Sequence, residues 1–242
     1  MIAGSKPLAL LVAACLVFLS ACGDSGYLLQ SVKGHLGLMS RAQPIDEILA
    51  SNDAPDVVIR QLETVVKLRE FAVDSLQLPD NGSYHEYADL ERPYAVWNLT
   101  AAPEFSMAPV QWCFPVAGCV SYRGYFKRHA AQDFAEKLQQ QGYDVYIGGA
   151  SAYSTLGWFK DPLLSTFLRY GDTRLAGLLF HELAHQVLYL KDDTTFNESF
   201  ASAVEELAVA QWLGDNGRGD ELDQWLRHNR WLETFAHWLL VH

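Results

Sequence analysis

His181-Glu182-Leu183-Ala184-His185 restricts this chain more than any other segment, because it sets two imidazoles and a carboxylate inside an apolar run. Residues 175–190 contain no proline and only one glycine, Gly177, and Gly171-Asp172 offers a helix start with Asp172 as the cap. Leu178, Leu179, Phe180, Leu183, Val187 and Leu188 crowd the histidines, so such a helix is expected to be buried. Two buried histidines beside a carboxylate are costly unless a metal ion or hydrogen bonds compensate. Histidines four apart on a helix differ by about 40° around the axis and about 6 Å along it, so both reach one tetrahedral ion. Glu182 points to the side. It is too far round to be a ligand, yet placed to take a proton from a metal-activated water. The spacing predicts a hydrolytic zinc site.

Asn197-Glu198-Ser199-Phe200-Ala201 begins twelve residues after His185 and supplies a third ligand, Glu198. Thr195 with Glu198 also fits a capping box, which would use the same carboxylate to begin a helix. Glu205 lies two turns further along the same face. It is the alternative ligand, and otherwise a carboxylate available to a substrate amine.

Upstream, residues 44–50 and 55–76 read as helices, each with a proline at its start. Residues 94–99, 110–114 and 120–126 have the aromatic and β-branched content of strands. Residues 130–141 form an amphipathic pattern stopped by Gly142, and residues 143–147 a strand ending at Gly148-Gly149. The order predicts an α+β fold, with a small mostly antiparallel sheet beside a helical core. Residues 150–159 alternate polar and apolar character. They are expected to be an edge strand that pairs with a peptide substrate through Ser154 and Thr155. Tyr153 is the candidate for stabilising an oxyanion, with Tyr122, Tyr125 and Tyr189 as competitors.

The N-terminus reads as an export signal. Lys6 precedes an apolar run at residues 8–18 that is too short to span a bilayer comfortably, and Leu19-Ser20-Ala21-Cys22 closes it. That ending resembles a bacterial lipobox, which implies cleavage after residue 21, lipidation of Cys22 and attachment on the periplasmic side of the outer membrane. The remaining 22–242 is expected to be one domain, with a helical preface near 44–80 and zinc-binding helices near 172–213. Its last twelve residues read as an amphipathic helix without a cap or breaker, so the chain is expected to continue. With Cys15 in the signal and Cys22 at the anchor, Cys113 and Cys119 remain as an even pair in an oxidising compartment and are expected to form a disulfide. Removing residues 1–21 leaves 17 basic against 29 acidic residues. Such a balance argues against nucleic acid as a partner.

HExxH followed by N-E-x-F-A on a second helix resembles the gluzincin metallopeptidases. More closely, residues 175–206 resemble a bacterial family of aminopeptidase lipoproteins, as do GYLLQSVKGHLGLMSRAQPID, WCFPVAGCVSYRGYF and ASAYSTLGWFKDP. The resemblance implies a zincin-like fold, zinc bound by His181, His185 and Glu198, Glu182 as general base, and a peptide or protein substrate. Two features differ from well-known gluzincin aminopeptidases. Their third ligand would fall nearer Glu205, and the Gly-x-Met-Glu-Asn segment that anchors a free amine is absent. The expected function is aminopeptidase activity in the bacterial envelope. The alternatives are an endopeptidase of envelope proteins and a non-catalytic lipoprotein.

Overall fold

The computed structural model describes residues 22–114, 118–155 and 159–241. The signal read at residues 1–21, the centre of the loop between Cys113 and Cys119, and residues 156–158 of the segment read as a substrate strand lie outside the described residues.

Local signals account for most elements. Helix α1 (Cys22–Met39) leads into a short strand, β1 (Ala42–Pro44). Pro44 and Pro55 occupy the N-cap positions of α2 (Ile45–Ser51) and α3 (Asp56–Asp74), where the missing N–H costs no helical hydrogen bond. Leu62, Val65, Leu68, Arg69 and Ala72 recur at helical spacing and form the buried face of α3. Strands β2 (Glu86–Ala88), β3 (Val96–Pro103), β4 (Trp112–Phe114), β5 (Gly118–Val120) and β6 (Arg123–Tyr125) follow. Then come α4 (Arg128–Gln140), β7 (Tyr143–Ala150) and β8 (Leu163–Leu164). A 3-10 turn, Phe167–Arg169, precedes α5 (Asp172–Val187), α6 (Thr194–Asp215) and α7 (Gly219–Val241).

The fold is α+β, but its strands divide among three small sheets instead of one. β6, β3 and β7 pair antiparallel in that order, and β4 with β5 makes a separate hairpin. In the third sheet β1 is antiparallel to β2, whereas β8 joins β2 in parallel. β7 does not stop at Gly148-Gly149. All eight of its residues pair with β3, and Gly149 lets the Tyr94 ring lie against the strand where a Cβ would come within 2.3 Å of it. The strand expected over residues 120–126 is split at Ser121-Tyr122, so β5 stays in the hairpin while β6 joins the larger sheet.

The main core lies between the helices. Leu175, Ala176, Leu179, Phe180 and Leu183 of α5 are wholly buried together with Leu62, Val65 and Leu68 of α3 and Val209 and Leu213 of α6. Phe71 and Phe180 bring α3 onto α5, with ring centroids 6.0 Å apart. A second cluster packs Leu99, Ala101 and Tyr125 of the larger sheet against Ala131, Ala135 and Leu138 of α4. Helices α3 and α6 of the main core both pack on α5. α5 carries the two histidines.

Candidate metal centre

Helices α5 and α6 form an antiparallel hairpin whose link sets the register of the site. Helix α5 ends at Val187, earlier than the apolar run suggests, and Leu188 is extended at φ -147°. The reason is Asn197. Its amide oxygen accepts the Leu190 N–H at 2.7 Å and its amide nitrogen donates to the Leu190 carbonyl at 2.8 Å, pulling the chain out of the helix. Tyr189 consequently sits in the link and not one helical turn beyond His185. The starts of both helices also differ from expectation. Gly171, not Asp172, caps α5, and Asp193 caps α6 by accepting the Phe196 N–H at 2.9 Å. With that cap supplied by Asp193, the Glu198 carboxylate is not spent on a capping box.

Glu198 instead faces both histidines. Its Oε2 lies 3.5 Å from His181 Nε2 and its Oε1 lies 3.8 Å from His185 Nε2. The two rings stand nearly perpendicular, at 81°, with centroids 4.9 Å apart. One donor atom from each of His181, His185 and Glu198 lies within 4.8 Å of the others. Glu205 is not in this set. It accepts the Nδ1–H of His181 at 3.0 Å, on the side of the ring away from Glu198. That bond fixes the tautomer, so the Nε2 lone pair of neutral His181 points at a carboxylate oxygen. Two acceptors facing each other at 3.5 Å call for a proton or a metal cation between them. The donor set thus fits zinc, which takes imidazole nitrogen and carboxylate oxygen together. Donors bound to one tetrahedral ion lie roughly 3.3 Å apart for bonds near 2.0 Å, so a small inward movement would complete the site.

The electrostatics favour positive charge, a proton or a cation, between His181 and Glu198. Burial pulls the His181 imidazole down, but Glu198 and Glu205, helped by the charge of Glu182, raise it to about 10. Burial and the neighbouring His181 lower His185. The Glu198 carboxyl is held below its ordinary value by His181 first, against burial. Glu182, itself buried, is pushed up to about 7 by loss of solvent, with His181 opposing and Glu198 and Asp161 adding. A carboxylate in this range is suited to exchanging protons near neutrality. Room for Glu205 comes from Gly177 on α5, where a Cβ would meet Glu205 Oε1 at 2.7 Å.

The segment expected to bind substrate is arranged differently. Residues 151–155 form no strand. The Thr155 N–H, which an edge strand would offer to a peptide, donates to Asp161 Oδ2 at 2.8 Å, and the Thr155 hydroxyl donates to Oδ1 at 2.8 Å. The Ser154 hydroxyl also donates to Asp161, at 3.2 Å. Asp161 is buried, and its own N–H reaches Ser83. Sequence reasoning passed over Asp161. Its sole signal was a carboxylate, preceded by Lys160 and followed by Pro162, a few residues from two hydroxyls. Tyr153 packs on Phe126 and His35, with centroids 5.1 and 5.9 Å away. Of the competing tyrosines, Tyr122 and Tyr189 both feel the charge of Glu198, and Tyr122 that of Glu182 as well. Burial, then Glu198, Tyr189 and Glu182, push the Tyr122 phenol up to about 12.

Cys113 and Cys119 are cross-strand neighbours on β4 and β5 and are joined by a disulfide. Closing so short a loop contributes about 2 kcal/mol and mainly fixes its shape. The hairpin is also tied to the link between α5 and α6, because Asp192 Oδ1 accepts the Cys119 N–H at 2.6 Å. Tyr122 follows three residues after Cys119, beyond the end of β5.

No curated protein and no solved structure matches the chain significantly. A family model does, over residues 26–241, a span that takes in α5, α6 and every residue placed around the centre. The chain belongs to the family described as "Putative aminopeptidase".

Proposed function

We propose that the protein is an exported, lipid-anchored, zinc-dependent peptidase of gluzincin type that removes N-terminal residues from peptides in the bacterial envelope. The family description supports peptidase chemistry. The observation that carries the zinc reading is the Glu198 carboxylate set between two Nε2 atoms.

His181, His185 and Glu198 would hold the ion. Bound there, zinc supplies Lewis acidity toward the substrate carbonyl and acidifies water. Glu205 orients His181 by holding its Nδ1–H. Glu182 accepts the proton of the attacking water and returns it to the leaving amine. Tyr122, kept as a neutral phenol, donates a hydrogen bond to the carbonyl oxygen as it becomes negative. In this role it replaces Tyr153.

The test uses purified protein. Zinc content is measured beside hydrolysis of paired peptides with free and acetylated N-termini. Bound zinc with cleavage of the free-amine series alone is expected. Cleavage of both series at similar rates would make the enzyme an endopeptidase, and bound zinc without hydrolysis would leave a structural site.

Export and anchoring rest on the segment ending at Cys22, with residues 1–21 as the signal and 22–242 as the mature domain. No described helix is long and apolar enough to cross a membrane. The Cys22→Ala variant should take up no diacylglycerol label and, once its signal is removed, should leave the membrane fraction. If it stays there, and the parent takes up no diacylglycerol label, the anchor at Cys22 is wrong.

A further inference from the structure

A cavity of about 450 Å³ opens between α1 and the start of α4, lined by Lys33, Arg41, Arg92, Lys127 and His129 and by no carboxylate. In a chain of net charge -11 such a concentration of basic groups is unusual. Arg92 donates to the carbonyls of Phe126 at 2.6 Å and Ala95 at 2.8 Å, contacts that fix its guanidinium without neutralising it. Burial and then the charge of Arg41 press on it. Arg41 is partly offset by Glu91, an exposed partner at 3.0 Å outside the lining. The first turn of α4 has no acidic residue and no side-chain cap. Lys127 and Arg128 add positive charge where the helix dipole is already positive, an arrangement that an anion in the cavity would relieve.

Helix α1 supplies an independent observation. Leu28, Leu29, Val32 and Leu36 are 46%, 70%, 57% and 61% exposed. On a helix these four positions cover about 100° of one face, and Lys33 borders it about 40° further round. The cavity therefore opens beside an apolar stripe. That stripe begins about 9 Å along the helix from Cys22, at 1.5 Å per residue.

We infer that the stripe of α1 lies on the bilayer surface and that the adjoining basic cavity receives the phosphate of an anionic phospholipid headgroup. The proposal rests on the attachment at Cys22 proposed above, which would hold α1 against the membrane. Apolar contact with the interface and basic attraction to anionic lipid act together in such docking. Phosphate oxygens would meet Lys33 and Lys127 at the mouth and Arg92 deeper in.

The full-length protein in detergent is titrated with short-chain phosphatidylglycerol, short-chain phosphatidylcholine and inorganic phosphate. Phosphatidylglycerol should bind at least roughly tenfold tighter than either of the others. Lys33→Gln with Lys127→Gln should weaken it roughly tenfold or more, as expected for two surface charges. Leu29→Ser with Val32→Ser should bring its affinity down toward that of inorganic phosphate. Circular dichroism checks that both variants are folded. Equal binding of the two lipids overturns the inference, and so does inorganic phosphate binding as tightly as phosphatidylglycerol. A parent dimer that the stripe variant dissociates would assign the stripe to a second copy and also overturn it. Cys22→Ala should retain headgroup binding. Failure of the anchor would thus appear in fractionation alone, and failure of the cavity in this titration alone.

Discussion

Glu182→Gln should keep about one zinc per chain and lose at least roughly a hundredfold in peptide hydrolysis, the lower range for removing a general base. The substitution preserves size and removes only the capacity to take a proton. Glu182 lies one residue from His181 on α5 but outside the donor set of His181, His185 and Glu198. His181→Ala, His185→Ala and Glu198→Ala should instead lose the metal, and activity with it. Zinc by mass spectrometry and turnover of a free-amine peptide are read on the same samples. Four variants that all retain zinc and fold like the parent would refute the centre. Loss of zinc from Glu182→Gln would make Glu182 a ligand and leave the base unassigned.

Glu205→Ala should lower zinc affinity by roughly ten- to a hundredfold, as when an outer carboxylate is removed from a ligating histidine. With the 3.0 Å bond to Nδ1 gone, His181 can rotate and change tautomer. Glu205→Gln should recover most of the affinity, because its amide oxygen can still accept that proton. At saturating zinc both variants should turn over near the parent rate. This separates an orienting carboxylate from a ligand. The opposite pattern, zinc retained by Glu198→Ala and absent from Glu205→Ala at saturation, would exchange their roles and restore the longer gluzincin spacing.

The contrast between these two glutamates shows where the sequence was informative. Both lie on one face of α6, and spacing alone left either as the third ligand. Their assignment depends on which side of the His181 ring each one meets. Gly177, noticed as an interruption of α5, is the space that lets Glu205 pass behind that ring. Helices α2 and α3 were legible because proline position and apolar period are local properties, and their observed limits lie within two residues of the expected ones. Where a distant residue decides, the local pattern misleads. The run Val187-Leu188-Tyr189-Leu190 looks helical until Asn197 takes both backbone groups of Leu190. Alternation at residues 150–159 looks like a strand until Asp161 captures the Thr155 N–H. The split between β5 and β6 is another case, since each half pairs with a different sheet.

The compact origin of the donors has a kinetic consequence. His181, His185 and Glu198 all come from one helical hairpin, so bringing them together closes a short loop and requires none of the sheets. Loop-closure entropy grows only slowly with length, and local pairings of this kind form early relative to distant strand contacts. The pairing of β4 with β5 is local too, but its attachment to Asp192 joins segments separated by 73 positions. During folding His181, His185 and Glu198 can therefore come together before the Cys119–Asp192 contact forms. Metal capture and catalytic competence would mature as separate events, the second waiting for the long-range closure that the first does not need.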